Sequence, residues 1–200
     1  MTYSPVCLGY SPKIFSFFND MFYDGSLFNI TVNTGRDSKV DQGEDTMLFY
    51  PAEGVARMSG CSPYNLAEAG LCLELVKEMN EIGFSGHRIG VLTTYCAQMN
   101  KIANLFYDES HCSNVTVGIL EDFEHKICDC LIISTVETSQ RACDGKRYPF
   151  DDLLHDRLCF NLALTRARSK IVLVGDKAVL GRIDHWAKLI DLCVTVTDDQ

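Results

Sequence analysis

The arginines of "FNLALTRARSKIVLVGD" are the side chains of this sequence best suited to phosphate chemistry. A guanidinium is planar, permanently charged and carries its N–H donors in a fork that matches phosphoryl oxygens. Arg166 and Arg168 stand directly before an apolar strand that stops at Gly175 and Asp176. Placed there, Arg166 either lies on the solvated face of a helix or reaches out of the fold to stabilise charge on a phosphate. Metal chemistry is not expected. Cys128, Asp129 and Cys130 form the close cysteine pair, and no second pair or Cys-x-x-His follows at the spacing tetrahedral zinc needs.

The elements that must position these arginines alternate along the chain. "SPKIFSFFNDMFYDGSL" carries Ile14, Phe17, Phe18, Met21 and Phe22 at helical spacing, and the polar "NTGRDSKVDQGED" that follows reads as a loop. "MLFYPA" is a strand. "SPYNLAEAGLCLELVKEMNEIG" is a long helix with Ala67, Leu71, Leu75, Met79 and Ile82 on one face. "RIGVLTTY", "VTVGIL", "CLIISTV" and "KIVLVGD" are strands, while "AQMNKIANLFYDE", "DRLCFNLALTRAR" and "VLGRIDHWAKLIDLC" are helices. Strands that are apolar throughout, interleaved with amphipathic helices, predict an α/β doubly wound, mostly parallel sheet with helices on both faces. Sites in such a sheet lie at the carboxyl ends of strands, where Thr93, Thr94, Glu137, Thr138, Gly175 and Asp176 fall.

Composition narrows the choices. With 27 acidic against 18 basic residues, and a net charge of −9, the chain has no broad basic surface, so any nucleic-acid groove must be local. The ten cysteines lie within periodic apolar segments with no secretory signal before them, and read as reduced, mostly buried thiols. No apolar run has the length of a membrane span, so the expected location is the cytoplasm, with the nucleus as the other choice.

"RIGVLTTYCAQMNKI", "VTVGILEDFEHKICDCLIISTVETSQ" and "FNLALTRARSKIVLVGD" resemble motifs IV, V and VI of superfamily 1 helicases. The subgroup they are most similar to comprises the nonsense-mediated-decay helicase, senataxin and Argonaute-associated helicases such as Armitage. "PKIFSFFNDMFYDGSL", "SPYNLAEAGLCLELV" with its Asn-x-x-Glu-Ala pattern, and "HWAKLIDLC" resemble further parts of the same second RecA-like domain. The resemblance implies a helix and polar loop over residues 1–46 and a RecA-like helicase domain over residues 47–200, without a phosphate loop of its own. It implies ATP and Mg²⁺ as cofactors, bound only in combination with a first RecA-like domain from the same gene or a separate chain. Arg166 matches the motif VI arginine finger, with Gly175 and Glu124 on the nucleotide side. Arg168 is the second basic position, more often structural. Thr93, Tyr95, Gln98 and Thr138 are assigned to the RNA backbone. Single-stranded RNA, bound weakly by this chain alone, and Argonaute or RNA-decay factors are the implied partners.

The sequence departs from that pattern in motif V. Ile119 stands where the family has an RNA-contacting threonine, Glu124 replaces glutamine, His125 replaces glycine and Ile127 replaces a glutamate. The opening segment lacks the family's Tyr-Arg: the ungapped match falls on Leu8 and Gly9, and a match with one deletion on Tyr10 and Ser11. Two functions therefore remain open, the second half of an ATP-dependent RNA helicase and a degenerate helicase-like interaction module.

Overall fold

The computed structural model describes residues 6–30, 45–52, 54–137 and 152–197. Along the chain come β1 (Val6–Leu8), α1 (Pro12–Phe22), β2 (Phe28–Ile30), β3 (Met47–Pro51), β4 (Arg57–Ser59), β5 (Ser62–Tyr64), α2 (Leu66–Glu81) and β6 (Ile89–Thr93). They are followed by α3 (Cys96–Phe106), β7 (Thr116–Gly118), β8 (Cys128–Ser134), α4 (Asp152–His155), α5 (Arg157–Leu164), β9 (Ala167–Gly175), α6 (Lys177–Leu180), α7 (Asp184–Leu192) and β10 (Val194–Thr195). Six strands form one parallel sheet in the order β10-β3-β9-β8-β6-β7. β1 pairs with β2, and β4 with β5, in small two-stranded sheets.

The unbroken apolar runs of β8 and β9 follow from burial on both faces. Alternate residues of a strand point to opposite sides. Leu131, Ile133, Ile171 and Leu173 enter one core with Ile14 and Phe18 of α1, Phe160 of α5 and Trp186 of α7. Cys130, Ile132, Val172 and Val174 enter the other with Leu75 and Met79 of α2 and Ile102 of α3. α1 thus belongs to the core of the sheet. Phe160 is the hub of the first core, its ring centroid 4.7 Å from that of Trp186 and 4.6 Å from that of His185.

Several elements differ from expectation. The buried stripe of α2 runs through Glu68, Ala69, Cys72, Leu75, Val76 and Met79, while Ala67 and Ile82 are exposed. The helix is rotated so that a carboxylate enters the interior, and its compensating partners are described below. The closing helix is two helices, α6 and α7, broken after Gly181. The break re-aims α7 so that Trp186 Nε1 and His185 Nε2 both bond the Leu154 carbonyl, at 3.0 and 2.9 Å. "TRAR" divides between elements: Thr165 closes α5, Arg166 is in the turn, and Arg168 is already on β9. The strand starts there because the Cys128 N–H bonds the Arg166 carbonyl at 2.8 Å and Ala167 pairs with Cys128. Residues 33–44 of the expected polar loop lie outside the described residues. Phe160→Ala removes the ring on which Phe17, Phe22, His185 and Trp186 pack, and should cost about 3–5 kcal/mol of unfolding free energy, read from urea denaturation.

Candidate functional site

The amino edge of the sheet, where β8 and β9 begin, gathers three distant parts of the sequence. Arg166 is fixed by its backbone, whose N–H bonds the Ala163 carbonyl at 3.0 Å. Its guanidinium donates from Nη1 to the Glu124 carbonyl at 2.8 Å, from Nε to the Leu162 carbonyl at 3.2 Å and from Nη2 to Thr165 Oγ1 at 3.2 Å. Glu124 ends a 3₁₀ turn, Leu120–Phe123, anchored by the buried Phe123 ring and by the Ile119 N–H donating to the Asp122 carboxylate at 3.0 Å. Tyr10 joins from the opening segment, its hydroxyl donating to the Thr165 carbonyl at 2.8 Å. Burial pushes the Tyr10 phenol up, and Arg166 and Arg168 pull it partly back. Asp129, on the same edge, holds Arg88 in an ion pair ahead of β6.

The carboxyl edge is built around a buried carboxylate. Asn65 caps α2, its Oδ1 accepting from the Ala67 and Glu68 N–H groups, which leaves its Nδ2 to donate to Glu68 Oε1 at 3.3 Å. Glu68 Oε2 accepts from the Ser134 hydroxyl at 2.7 Å and from the Val136 N–H at 3.0 Å. Gln98 closes the network, donating from Nε2 to Ser134 Oγ and the Asn65 carbonyl and accepting the Asn65 N–H at 2.9 Å. Burial pushes the Glu68 carboxyl up to about 7, against the pull of its donors. Val136, just past β8, has φ +63°, a left-handed conformation rarely adopted by a β-branched residue and held here by the bond to Glu68.

The structure divides the residues singled out in the sequence. Arg166 and Glu124 meet at the amino edge through the Glu124 main chain, with its side chain exposed. Gly175 lies at the other end of the nine-residue β9, roughly 27 Å away at about 3.3 Å per residue. It packs where a Cβ would run into Thr135 Oγ1, and its carbonyl accepts the Ala52 N–H at 2.9 Å. Thr93, Tyr95 and Gln98 are all buried at the carboxyl edge. The Tyr95 hydroxyl donates to Glu137 at 3.3 Å, Gln98 is held as described, and Thr93 Oγ1 is buried without a partner among the described residues. Thr138 lies outside the described residues.

Sequence reasoning missed Glu68 and Ser134 as site-forming residues. The available signals were a glutamate three residues after a capping asparagine, one position off the apolar stripe, and a serine ending a buried strand. Among the described residues no group of His, Cys, Asp and Glu could hold a metal ion, and the described cysteines are free. Burial pushes the Cys130 thiol up to about 12 and Cys128 up to about 11, which makes both poor ligands and nucleophiles. No described helix is long and apolar enough to cross a membrane. The arrangement can offer guanidinium donors to an anion at one edge, and at the other a strand end held rigid by a buried polar network.

A six-stranded parallel sheet flanked by helices, with an arginine at the α5–β9 turn, is the architecture of the second RecA-like domain of superfamily 1 helicases. A family profile described as AAA domain matches residues 9–178, and the chain belongs to that family. Regulator of nonsense transcripts 1 of Caenorhabditis elegans is 31% identical over 192 residues, which span 90% of this chain and 17% of that protein. The 5'-3' DNA helicase ZGRF1 of Mus musculus is 30% identical over 187 residues, 91% of this chain and 9% of that protein. Helicase sen1 of Schizosaccharomyces pombe is 28% identical over 191 residues, 90% of this chain and 11% of that protein. The chain therefore spans less than a fifth of the length of these relatives. The crystal structure of the C-terminal domain of a possible DNA helicase from Lactobacillus plantarum shares the fold, with a TM-score of 0.53 and 11% identity over 93% of this chain and 96% of that one.

Glu68 provides a pH test. Its carboxyl, ordinarily near 4.5, sits near 7 in the folded chain, so the folded state binds the proton more tightly. That stabilisation is complete below pH 4.5 and is lost as pH rises through 7. Urea midpoints at pH 5 and pH 8.5 should show wild type losing on the order of 2–3 kcal/mol more than Glu68→Gln, which cannot titrate.

Proposed function

We propose that this domain is the second half of an ATP-dependent helicase motor, supplying Arg166 to ATP held mainly by a first RecA-like domain and part of the path for single-stranded RNA. The observation that carries this reading is the bonding of Arg166. All three hydrogen bonds of its guanidinium among the described residues go to neutral acceptors, two carbonyls and a hydroxyl. Charge-assisted bonds to phosphate oxygens are roughly twice as strong as such bonds, so an anion at this edge competes favourably for the guanidinium. ATP with Mg²⁺ supplies the phosphoryl group whose transfer drives the motor; the described residues of this domain offer a cation and no acidic cluster, which leaves the metal to the first domain.

The nucleic-acid path falls to the carboxyl edge. Tyr95 and Gln98 brace the strand end from within, where the buried Thr93 hydroxyl has no partner among the described residues, so the backbone of an incoming strand is met by the surface these residues hold in place. RNA is favoured over DNA because the motif segments are most similar to those of the RNA-acting subgroup. RNA-decay or Argonaute assemblies in the cytoplasm are the proposed setting. The burial of Tyr95 and Gln98, with Ile119 and Ile127 in the motif V segment, favours as second reading an interaction module that no longer turns over ATP.

Joined to a first domain with an intact phosphate loop, the chain should hydrolyse ATP, and Arg166→Ala should lower kcat by about 10³-fold with a much smaller change in KM. Arg166→Lys should rescue little, because an ammonium lacks the planar fork. A joined wild type with no turnover leaves the interaction module. The chain alone should bind single-stranded RNA weakly and lose that binding steeply with salt, since it neutralises few phosphates; submicromolar, salt-insensitive binding in an anisotropy titration contradicts the assignment.

A further inference from the structure

We propose that Arg168 makes a second contact to the terminal phosphate of the nucleotide, beside Arg166. This deepens the motor reading above and rests on it for the identity of the ligand, while the anion site itself rests on the geometry.

Arg168 is the second residue of β9, and its main chain is fixed by the Ser11 N–H, which donates to its carbonyl at 2.6 Å. Its side chain is a different matter. It makes no hydrogen bond or ion pair among the described residues, and its Nε is buried with no acceptor. A buried donor left unpaired costs about 1–3 kcal/mol, so native structures rarely keep one without a reason. Other described arginines are satisfied or solvated. Arg88 pairs with Asp129, Arg157 donates to the Met21 carbonyl and lies over the Phe22 ring, and Arg57 and Arg182 are exposed.

The surroundings point to an anion. The chain carries 27 acidic residues against 18 basic ones, yet neither Arg166 nor Arg168 has a carboxylate partner among the described residues. Two residues apart, their Cα atoms are at most about 7 Å from each other. Tyr10 stands on the same edge, its hydroxyl donating to the carbonyl of Thr165 next to Arg166, and the Ser11 N–H that follows it donates to the Arg168 carbonyl. Two positive forks two residues apart on one edge, one bonded only to neutral acceptors and the other with an unpartnered Nε, match a tetrahedral group that presents several oxygens at once. The terminal phosphate of a nucleoside triphosphate is such a group. A nucleic-acid backbone tracking the carboxyl edge lies a strand's length away.

The direct test uses the whole chain labelled with ¹⁵N-arginine and follows the Nε–H cross-peaks during titration with inorganic pyrophosphate at constant ionic strength. The Arg166 and Arg168 peaks should move together and saturate, while those of Arg57 and Arg182 stay put. Arg168→Lys should weaken pyrophosphate binding about tenfold, the scale of one charge-assisted bond. Because Arg168 has no partner to lose, the urea midpoints of Arg168→Lys and Arg168→Gln should stay level or rise, which separates this role from a structural one. An unmoved Arg168 peak overturns the inference, whatever Arg166 does. In the joined enzyme, Arg168→Gln should lower kcat at least about tenfold with little change in KM. Full turnover by Arg168→Gln beside a dead Arg166→Ala removes Arg168 and leaves the motor reading intact. A saturating shift at Arg168 in a chain whose joined form never turns over removes the motor reading and leaves the anion site.

Discussion

Every strand of the six-stranded sheet runs in the same direction, and the rest of the molecule follows from that constraint. Parallel pairing forces each connection to cross back over a face, so helices cover both sides and the strands become apolar throughout. It also sorts the turns. All entries into strands lie at one edge and all exits at the other. Arg166, Arg168, Glu124 and Tyr10 meet at the entries of β8 and β9, whereas Thr93, Glu68, Ser134, Val136 and Gly175 meet at the exits. A domain built this way can address two ligands without their charges interfering, since the gap far exceeds the roughly 8 Å screening length at physiological salt.

The two edges are held by different physics. At the exits, a fully buried carboxylate receives three donors, from the cap of α2, from the end of β8 and from Val136 two residues further on, and the same serine receives a fourth donor from α3. Networks of this kind are rigid because each group that moves leaves another unsatisfied in a low-dielectric interior. At the entries, among the described residues, Arg166 is tied to neutral acceptors and the Arg168 side chain to none. The exit edge is a fixed platform; the entry edge is a set of donors held loosely enough to change partners.

The alternation of apolar strands with amphipathic helices gave away the α/β sheet, because burial on two faces makes 131–133 of β8 and 171–174 of β9 apolar without a break. Family membership was legible because "TRAR" and the segments before it keep the order and spacing of the motifs they resemble. What could not be read was the rotation of α2. Counting apolar residues places Ala67, Leu71 and Ile82 inward, but the cost of burying Glu68 is offset by Ser134, sixty-six residues away in sequence, and by a main-chain N–H that has no letter. The packing at Gly175 was hidden for a similar reason: a Cβ there would run into Thr135, forty residues away in sequence on the neighbouring strand exit.

The bond between Arg166 and Glu124 runs to a main-chain carbonyl. Such an acceptor is present whatever side chain the residue carries, so positions 124 and 125 can exchange glutamine for glutamate, or glycine for histidine, without touching it. Selection on that contact acts on the path of the backbone, through Phe123 in the core and Asp122 at the turn, rather than on the letters beside it. Two chains can therefore diverge throughout this turn and still hold the arginine in the same way, and a comparison that scores residues one by one undercounts what they share.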